Sequence, residues 1–527
     1  MQHTQVLVVG GSLVGLSAAL FLAARGVNAI TVERHAGSSP HPRAIGYTPR
    51  TIELFRAVGL GDAIPQAPQG FRLRRARVTS LCAALQSEHD WTPPAKADRA
   101  PTRPVSPVRG AAIAQDRLEP ILRGRAIELG ADIRPFTELV SFQQDAEGVT
   151  AVIRSRETGS ETTIRARYMI AADGGDSRIR EALNITRSGR GHMRFVRSVL
   201  FRADLDEHLQ GGISQWEIEQ PGQPGLKAFL TTYQDGRWVL MFTDDVERNA
   251  DEQVAAIRRA VGREDLDVDV LATGRWDLSA LVADRFSSGR IFLAGDAAHQ
   301  LPPTRGGYGA NTGIHDVHNL AWKLQAVLSG TSSPALLDTY DAERRPIAWT
   351  RHQQTFARPD YAADAPKGMK SERIIGDDAI EFGQLHRSTA VLGAGSELPE
   401  ARHPDEWNGQ PGTRAPHCPI HVNGTAASFI DLLQRGWLLV AMDSHWSSAL
   451  KACAAAIDIA IVGADFSVDE DTDLASLLGI GAQGAVLIRP DGIIAWRGIA
   501  RGSMAELADA FAKVASLASR KSEVARQ

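Results

Sequence analysis

Val6-Leu7-Val8-Val9-Gly10-Gly11-Ser12-Leu13-Val14-Gly15 is the stretch whose reading decides the fold. Val6 to Val9 have the length and composition of a buried strand, a glycine turn follows, and from Val14 to Arg25 the apolar spacing is helical. The chain then runs to Val32 and Glu33, which predicts a strand–turn–helix–strand unit. Glycines at Gly10 and Gly15 let the backbone turn tightly and approach a pyrophosphate at the helix N-terminus, whose free N–H groups and dipole favour anions. Glu33, with Arg34 beside it, closes the second strand, where a carboxylate accepts from a ribose hydroxyl. Ser12 stands where the usual pattern has its second glycine, so a ligand-free buried turn competes with this reading. The placement of strand, helix and acidic strand end favours the dinucleotide. Val6 to Ala24 is nineteen residues without a charge, long enough on length alone to span a membrane. No Lys or Arg precedes it and three glycines interrupt it, so no membrane segment is expected.

Two later segments repeat the pattern of an apolar strand delivering an aspartate. Arg167 to Ala172 leads into Asp173-Gly174-Gly175, and Arg290 to Ala294 leads into Gly295-Asp296-Ala297-Ala298-His299. Ligands sit at strand ends in open α/β sheets, and a carboxylate there takes hydrogen bonds from a sugar or ribitol hydroxyl. Taken singly, an Asp-Gly turn or a helix N-cap explains each as well.

The rest of the chain bounds the function. At 527 residues, about three domains are expected at roughly 100–200 residues each. Lys+Arg 58 against Asp+Glu 62 leaves a net charge of −4 with no charged block, which argues against nucleic acid or a polybasic membrane surface and for a small-molecule partner. Cys82, Cys418 and Cys453 contain no CxxC pair, so neither a disulfide framework nor a zinc site is expected, and a cytoplasmic location fits. A Pro-rich connection runs from Trp91 to Pro107, a helix is predicted from Gln115 to Leu129, and Phe195 to Phe242 reads as strands. Within it, Asp235-Gly236 turns a hairpin between Ala228–Tyr233 and Arg237–Phe242. Helical spacing returns from Asn311 to Leu328. Beyond Pro419 a small α/β unit is predicted, with helices near Phe429 and Ala449, strands at Trp437–Ala441, Ile457–Val462, Ala485–Ile488 and Ile493–Arg497, and a helix from Met504 to Leu517.

Together these motifs resemble the class A flavoprotein monooxygenases typified by para-hydroxybenzoate hydroxylase, over about residues 4–350. Pro42-Arg43-Ala44, Gln115-x-x-Leu118-Glu119, Gly295 to His299 and Pro302 to Gly313 look like the aromatic-polyketide subgroup, which includes aklavinone and tetracenomycin hydroxylases. Gly412 to His417 and Val486 to Gly492 are similar to that subgroup's thioredoxin-like tail. The resemblance implies an α/β fold with three parts. A Rossmann-like FAD-binding domain takes 1–75, 106–180 and 276–400, a β-sheet substrate domain 76–105 and 181–275, and a thioredoxin-like domain 405–527. It places Gly10, Ser12, Gly15, Glu33 and Arg34 on the ADP half of a noncovalent FAD, Arg43 near the pyrophosphate, Gln115 near the ribitol, and Asp173 beside the dinucleotide. Gly295 and Asp296 fall on the ribitol chain, and Pro303, Gly309, Ala310 and Asn311 at the flavin ring. There, backbone N–H groups of Ala310 and Asn311 would stabilise the negative charge of reduced flavin.

The implied reaction has NADPH reduce FAD transiently, O₂ add at flavin C4a, and the distal oxygen pass to an electron-rich aromatic ring. The implied substrate is a polycyclic aromatic polyketide of anthracycline, angucycline or tetracenomycin type. No catalytic base and no metal site is visible, and homo-oligomerisation is left open. Trp216, Phe229, Tyr233, Trp238, Met241 and Phe242, on alternating positions of the strand-rich middle, are candidates to wall a flat ligand on one face. The competing readings are an NAD-dependent dehydrogenase, which would lack the second and third motifs, and a non-catalytic flavin-fold module binding a pathway intermediate or partner.

Overall fold

The structure, a computed structural model, describes residues 1–41, 44–68, 74–90, 103–209, 213–222, 225–303, 307–358, 361, 364, 373–447 and 457–517. Arg43, Cys453, the helix expected near Ala449, and most of the Pro-rich connection lie outside the described residues.

The first unit is built on a parallel sheet ordered 291–293, 161–171, 2–9, 29–32, 132–134. Strands Gln2–Val9 and Ala29–Val32 are joined by helix α1 (Leu13–Ala23). Nine of the eleven α1 residues are buried, because the helix lies between the sheet and two further helices, which explains its lack of charge. Helix α2 (Pro49–Arg56) begins at Thr48, whose side chain accepts from the Thr51 N–H, with proline at the first helical position. Helix α3 (Gln115–Glu128) packs beside α1.

The second unit is an eight-stranded sheet that includes Arg74–Val78, Arg187–Arg202, Ile213–Gln220, Leu226–Thr232, Arg237–Phe242 and Asp269–Ala283. Helix α4 (Ala250–Val261), started by an Asn249/Glu252 capping box and stopped by left-handed Gly262, covers one face. The expected domain edges can be placed on these elements. The edge at 75 falls inside strand Arg74–Val78, that at 180 inside helix Arg178–Ala182, and that at 275 inside Asp269–Ala283. Long strands cross from one unit to the other, so the chain passes between units without a linker for composition to mark.

Helices α5 (Tyr308–Leu328) and α6 (Asp338–Ala357) return to the first unit. The third unit has a four-stranded sheet ordered 457–461, 437–441, 485–488, 494–498, with one parallel pair followed by two antiparallel pairs and a final helix α7 (Met504–Val514). That is thioredoxin-like topology. The helix expected near Phe429 is a short 3-10 turn, Phe429–Leu432. Cys418 is buried, and burial pushes its thiol up to about 11, the reverse of what a redox thiol needs.

This unit docks through buried charge. Arg489 donates to both carboxylate oxygens of Glu343 on α6 at 2.7 and 2.9 Å, and Lys323 on α5 reaches Glu343 at 3.0 Å. Asp491 accepts from Asn319 at 3.1 Å, and Arg414 pairs with Glu53 of α2.

Candidate functional site at the carboxyl edge of the parallel sheet

Strand register decides where the chemistry lies. Val32, Val9, Ala171 and Leu293 are successive partners across the sheet. The residues that follow them, Glu33, Gly10, Ala172-Asp173 and Ala294-Gly295-Asp296, therefore emerge along one edge. Backbone hydrogen bonds tie the row: Gly10 N–H to Val32 O at 2.9 Å, Ala172 N–H to Val9 O at 2.8 Å and Ala294 N–H to Ala171 O at 2.9 Å.

The glycine turn is obligatory. Gly10 has φ +106°, and a Cβ there would lie 2.2 Å from Ala172 O. A Cβ on Gly15 would lie 1.7 Å from Gly10 O, so the helix could not approach the turn. The Glu33 carboxylate accepts from the Gly11 N–H at 2.7 Å and from the His35 N–H at 2.8 Å, which fixes it beside the turn. Arg34 is exposed, and its carbonyl accepts from Arg156 at 2.9 Å.

Ser12, Gln115 and a residue not foreseen as part of the site, Glu119, form a closed triangle. Ser12 Oγ donates to Glu119 Oε1 at 2.7 Å, and Gln115 Nε2 donates to the same oxygen at 2.7 Å and to Ser12 Oγ at 2.9 Å. Gln115 Oε1 accepts from the Ala44 N–H at 3.3 Å. Glu119 is fully buried and its Oε2 has no hydrogen-bond partner. Its signal was present: it lies one helical turn after Gln115, on the same face.

Asp173 Oδ2 accepts from the Ile179 N–H at 3.4 Å, while Oδ1 is buried without a partner. Burial raises its carboxyl pKa, opposed by the Ser177 hydroxyl. Asp296 sits in the 3-10 turn Gly295–Ala297 at the sheet edge. Pro303 O accepts from the Tyr361 hydroxyl at 3.0 Å.

At the start of α5, the N–H groups of Gly309 and Ala310 precede the first intrahelical bond, as the opening N–H groups of any helix do. Asn311 departs from expectation, since its N–H donates to Gly307 O at 3.4 Å and opens the helical ladder. Its side chain pins two loops instead. Nδ2 donates to Gly307 O at 2.8 Å and Gly46 O at 3.3 Å, and Oδ1 accepts from the Thr51 hydroxyl at 2.6 Å and the Thr48 N–H at 3.1 Å. These threonines carried no sequence signal beyond a helix start.

The six aromatic and sulfur candidates do not share a face. Trp216, Trp238 and Phe242 are buried in the core between the second sheet and α4. Tyr233 and Met241 lie on the opposite face, in a cluster with Leu200, Val239, Ala114 and Ile45. Phe229 pairs across with Met241 and carries the Arg75 guanidinium 5.6 Å from its ring centre. Strand alternation separates them: Trp238, Leu240 and Phe242 point one way, Val239 and Met241 the other. Arg237 lies 5.2 Å from the centre of the Tyr233 ring and reaches Asp116 of α3 at 2.7 Å, joining sheet to site. Burial is the main cause raising the Tyr233 pKa.

The edge suits a flavin dinucleotide. A turn with no room for side chains faces a helix N-terminus, and two buried carboxylate oxygens, on Asp173 and Glu119, await donors. Among the described residues, no cluster could hold a metal ion and no helix is long and apolar enough to cross a membrane.

Comparison with known proteins agrees. Residues 3–355 match the FAD binding domain family, and 408–517 match the aromatic-ring hydroxylase C-terminal family. The chain is 39% identical to a tetracenomycin B2 monooxygenase-dioxygenase of Streptomyces olivaceus, covering 93% of this chain and 94% of that protein. It is 37% identical to a 4-methyl-5-nitrocatechol 5-monooxygenase of a Burkholderia species, covering 97% of each. A crystal structure of aklavinone-11 hydroxylase with FAD and aklavinone superimposes with TM-score 0.86 at 33% identity, over 98% of this chain and 99% of that one. A dehydrogenase or a purely binding module has no place among these relatives, and the chain belongs to the FAD-dependent aromatic-ring hydroxylases, with FAD as its cofactor.

Proposed function

We propose that this hydroxylase acts on a polycyclic aromatic polyketide phenol, consuming NADPH and O₂ and releasing NADP⁺ and water. One oxygen atom enters a ring C–H bond; the other leaves as water. FAD, when bound, supplies the redox chemistry, accepting hydride from NADPH and activating O₂. The chain's own residues hold and shield it. Glu33 and Asp296 would accept from the ribose and ribitol hydroxyls, Asp173 would lie beside the dinucleotide, and the glycine turn offers N–H groups to the pyrophosphate. The first turn of α5 presents N–H groups and the positive end of its dipole to negative charge.

The observation that carries the substrate reading is the apolar cluster on the second sheet's other face, where buried Tyr233, Leu200 and Val239 and half-buried Met241 pack with Ile45 and Ala114, the chain neighbours of Ala44 and Gln115 at the sheet edge. Such an apolar wall with a few polar groups excludes water and orients a flat phenol. Similarity to enzymes named for tetracenomycin B2 and aklavinone supports the same class, while the nitrocatechol relative supplies a single-ring alternative. NADPH oxidation measured with tetracyclic phenols and with catechols separates them. Stimulation by the tetracyclic compounds is expected; stimulation by catechols alone would overturn the polycyclic reading. Acid precipitation is expected to release all the flavin into solution, and flavin left on the pellet would show a covalent tether.

A further inference from the structure

Behind the flavin edge, where the third unit meets α5, lies a polar cavity of about 40 Å³. His315, Asn319, Glu381, Gln384 and His386 line it, and Asp491 of the docked turn closes one side. Three of its polar atoms, Glu381 Oε2, Asn319 Oδ1 and Gln384 Nε2, are buried without any hydrogen-bond partner. Asn319 is 3% and Gln384 7% exposed, and the Glu381 side chain is 7% exposed. Orphaned atoms at this depth call for an occupant. They are of both kinds, a donor on Gln384 and acceptors on Asn319 and Glu381. An anion would satisfy only the first, since Arg50, Arg344 and Arg414 of the lining are already paired with Glu53 and Asp316, and a metal ion only the others. Water satisfies all, and the volume holds about three molecules at roughly 10–15 Å³ each.

His315 joins this cavity to the flavin side. Its Nε2 lies 3.0 Å from the Thr51 hydroxyl, which donates to Asn311 Oδ1 at 2.6 Å. With its single proton given to Asn311, Thr51 must accept from His315, so His315 carries its proton on Nε2. Nδ1 then carries the ring's lone pair, and His315 lines the cavity. The opposite tautomer would draw the Thr51 proton to His315 and release Asn311. Burial and the nearby Arg351, Arg344, Arg50 and His318 keep the ring neutral by lowering its pKa well below the usual imidazole value.

We propose that this cavity holds an ordered water cluster, and that His315 is a positioning residue through which the cluster fixes Thr51, Asn311 and hence the flavin-facing start of α5. The inference rests on FAD lying at this sheet edge and is independent of which substrate is hydroxylated. It gives the third unit a part in the flavin site: its Asp491 helps enclose the water that sets the His315 tautomer.

The first test needs no variant. A high-resolution crystal structure of the holoenzyme should show waters bonded to Glu381, Asn319 and Gln384, and a dry cavity would overturn the proposal, as would a bound ion. The second uses substrate-free protein, reading FAD affinity and the flavin midpoint potential. His315→Phe should bind FAD about tenfold more weakly, the value of one lost buried hydrogen bond, and lower the potential because reduced flavin is less well stabilised. His315→Gln, whose amide nitrogen reaches the place of Nε2, should restore both. Gln384→Leu, which displaces water without touching His315, should shift both in the same direction as His315→Phe. A folded His315→Phe protein with unchanged FAD affinity and potential would refute the positioning role.

Discussion

Glu119 holds two donors with one oxygen, Ser12 and Gln115, each at 2.7 Å. The triangle accounts for serine at the second glycine position of the turn, since the hydroxyl finds its acceptor on α3 and gives up no space the backbone needs. Replacing Glu119 with Leu leaves both donors to be re-satisfied, and FAD affinity should fall on the order of tenfold to a hundredfold. Titration of the apoprotein with FAD measures this; unchanged affinity would mean that the triangle is only packing. The sheet-edge positions of Gly10, Glu33, Asp173 and Asp296 were readable at this scale because each is marked within a few residues by an apolar run ending in glycine or acid. Glu119 was readable only as the fourth residue after Gln115. Thr48 and Thr51 were not, because their partner Asn311 lies some 260 positions away, and neither was His315, whose partner Thr51 lies 264 positions earlier in the chain.

Among the elements, the strands of the second sheet were legible as strands and their faces were not. Alternation separates Trp238 and Phe242 from Met241, but which set meets the site depends on where α4 packs, and nothing within those strands states it. The same holds for the turn Arg489-Pro490-Asp491-Gly492. It reads as a surface turn, yet Arg489 is fully buried because its acceptor Glu343 lies 146 residues earlier in the chain. Arg489→Met would leave Glu343 and Asp491 without their main cation. Breaking one side of such a buried network costs about 3–5 kcal/mol. Urea unfolding should show this loss, and a change below about 1 kcal/mol would indicate that the docking surface relaxes to admit water.

For the whole molecule, buried titratable groups set the acid limit. His386 and His352 are buried, and desolvation lowers each to about 4. Both stay neutral in the folded state while the unfolded chain binds protons from about pH 6.5 downward. Stability is therefore full above pH 6.5 and falls as pH drops toward 4. Glu343 and Glu53 have lowered pKa values because Arg489, Lys323, Arg414 and Arg50 outweigh burial. Their contribution is present above the usual carboxylate range and is lost on further acidification. Thermal melting between pH 8 and pH 4 should show a monotonic decline beginning near 6.5; a flat profile would contradict the assignment of neutral buried histidines. The three-unit plan was legible in outline, whereas composition marks no linker between the first two units, because strand Asp269–Ala283 packs Val270 against one core and Val282 and Ala283 in the other. The central claim, FAD-dependent insertion of one oxygen atom into a polycyclic phenol, is tested most directly by product mass. The holoenzyme is supplied with NADPH, tetracyclic phenols and isotopically heavy O₂. The account predicts a product heavier by one oxygen atom that carries the heavy isotope, and NADPH consumption yielding only peroxide with every tetracyclic phenol would contradict it.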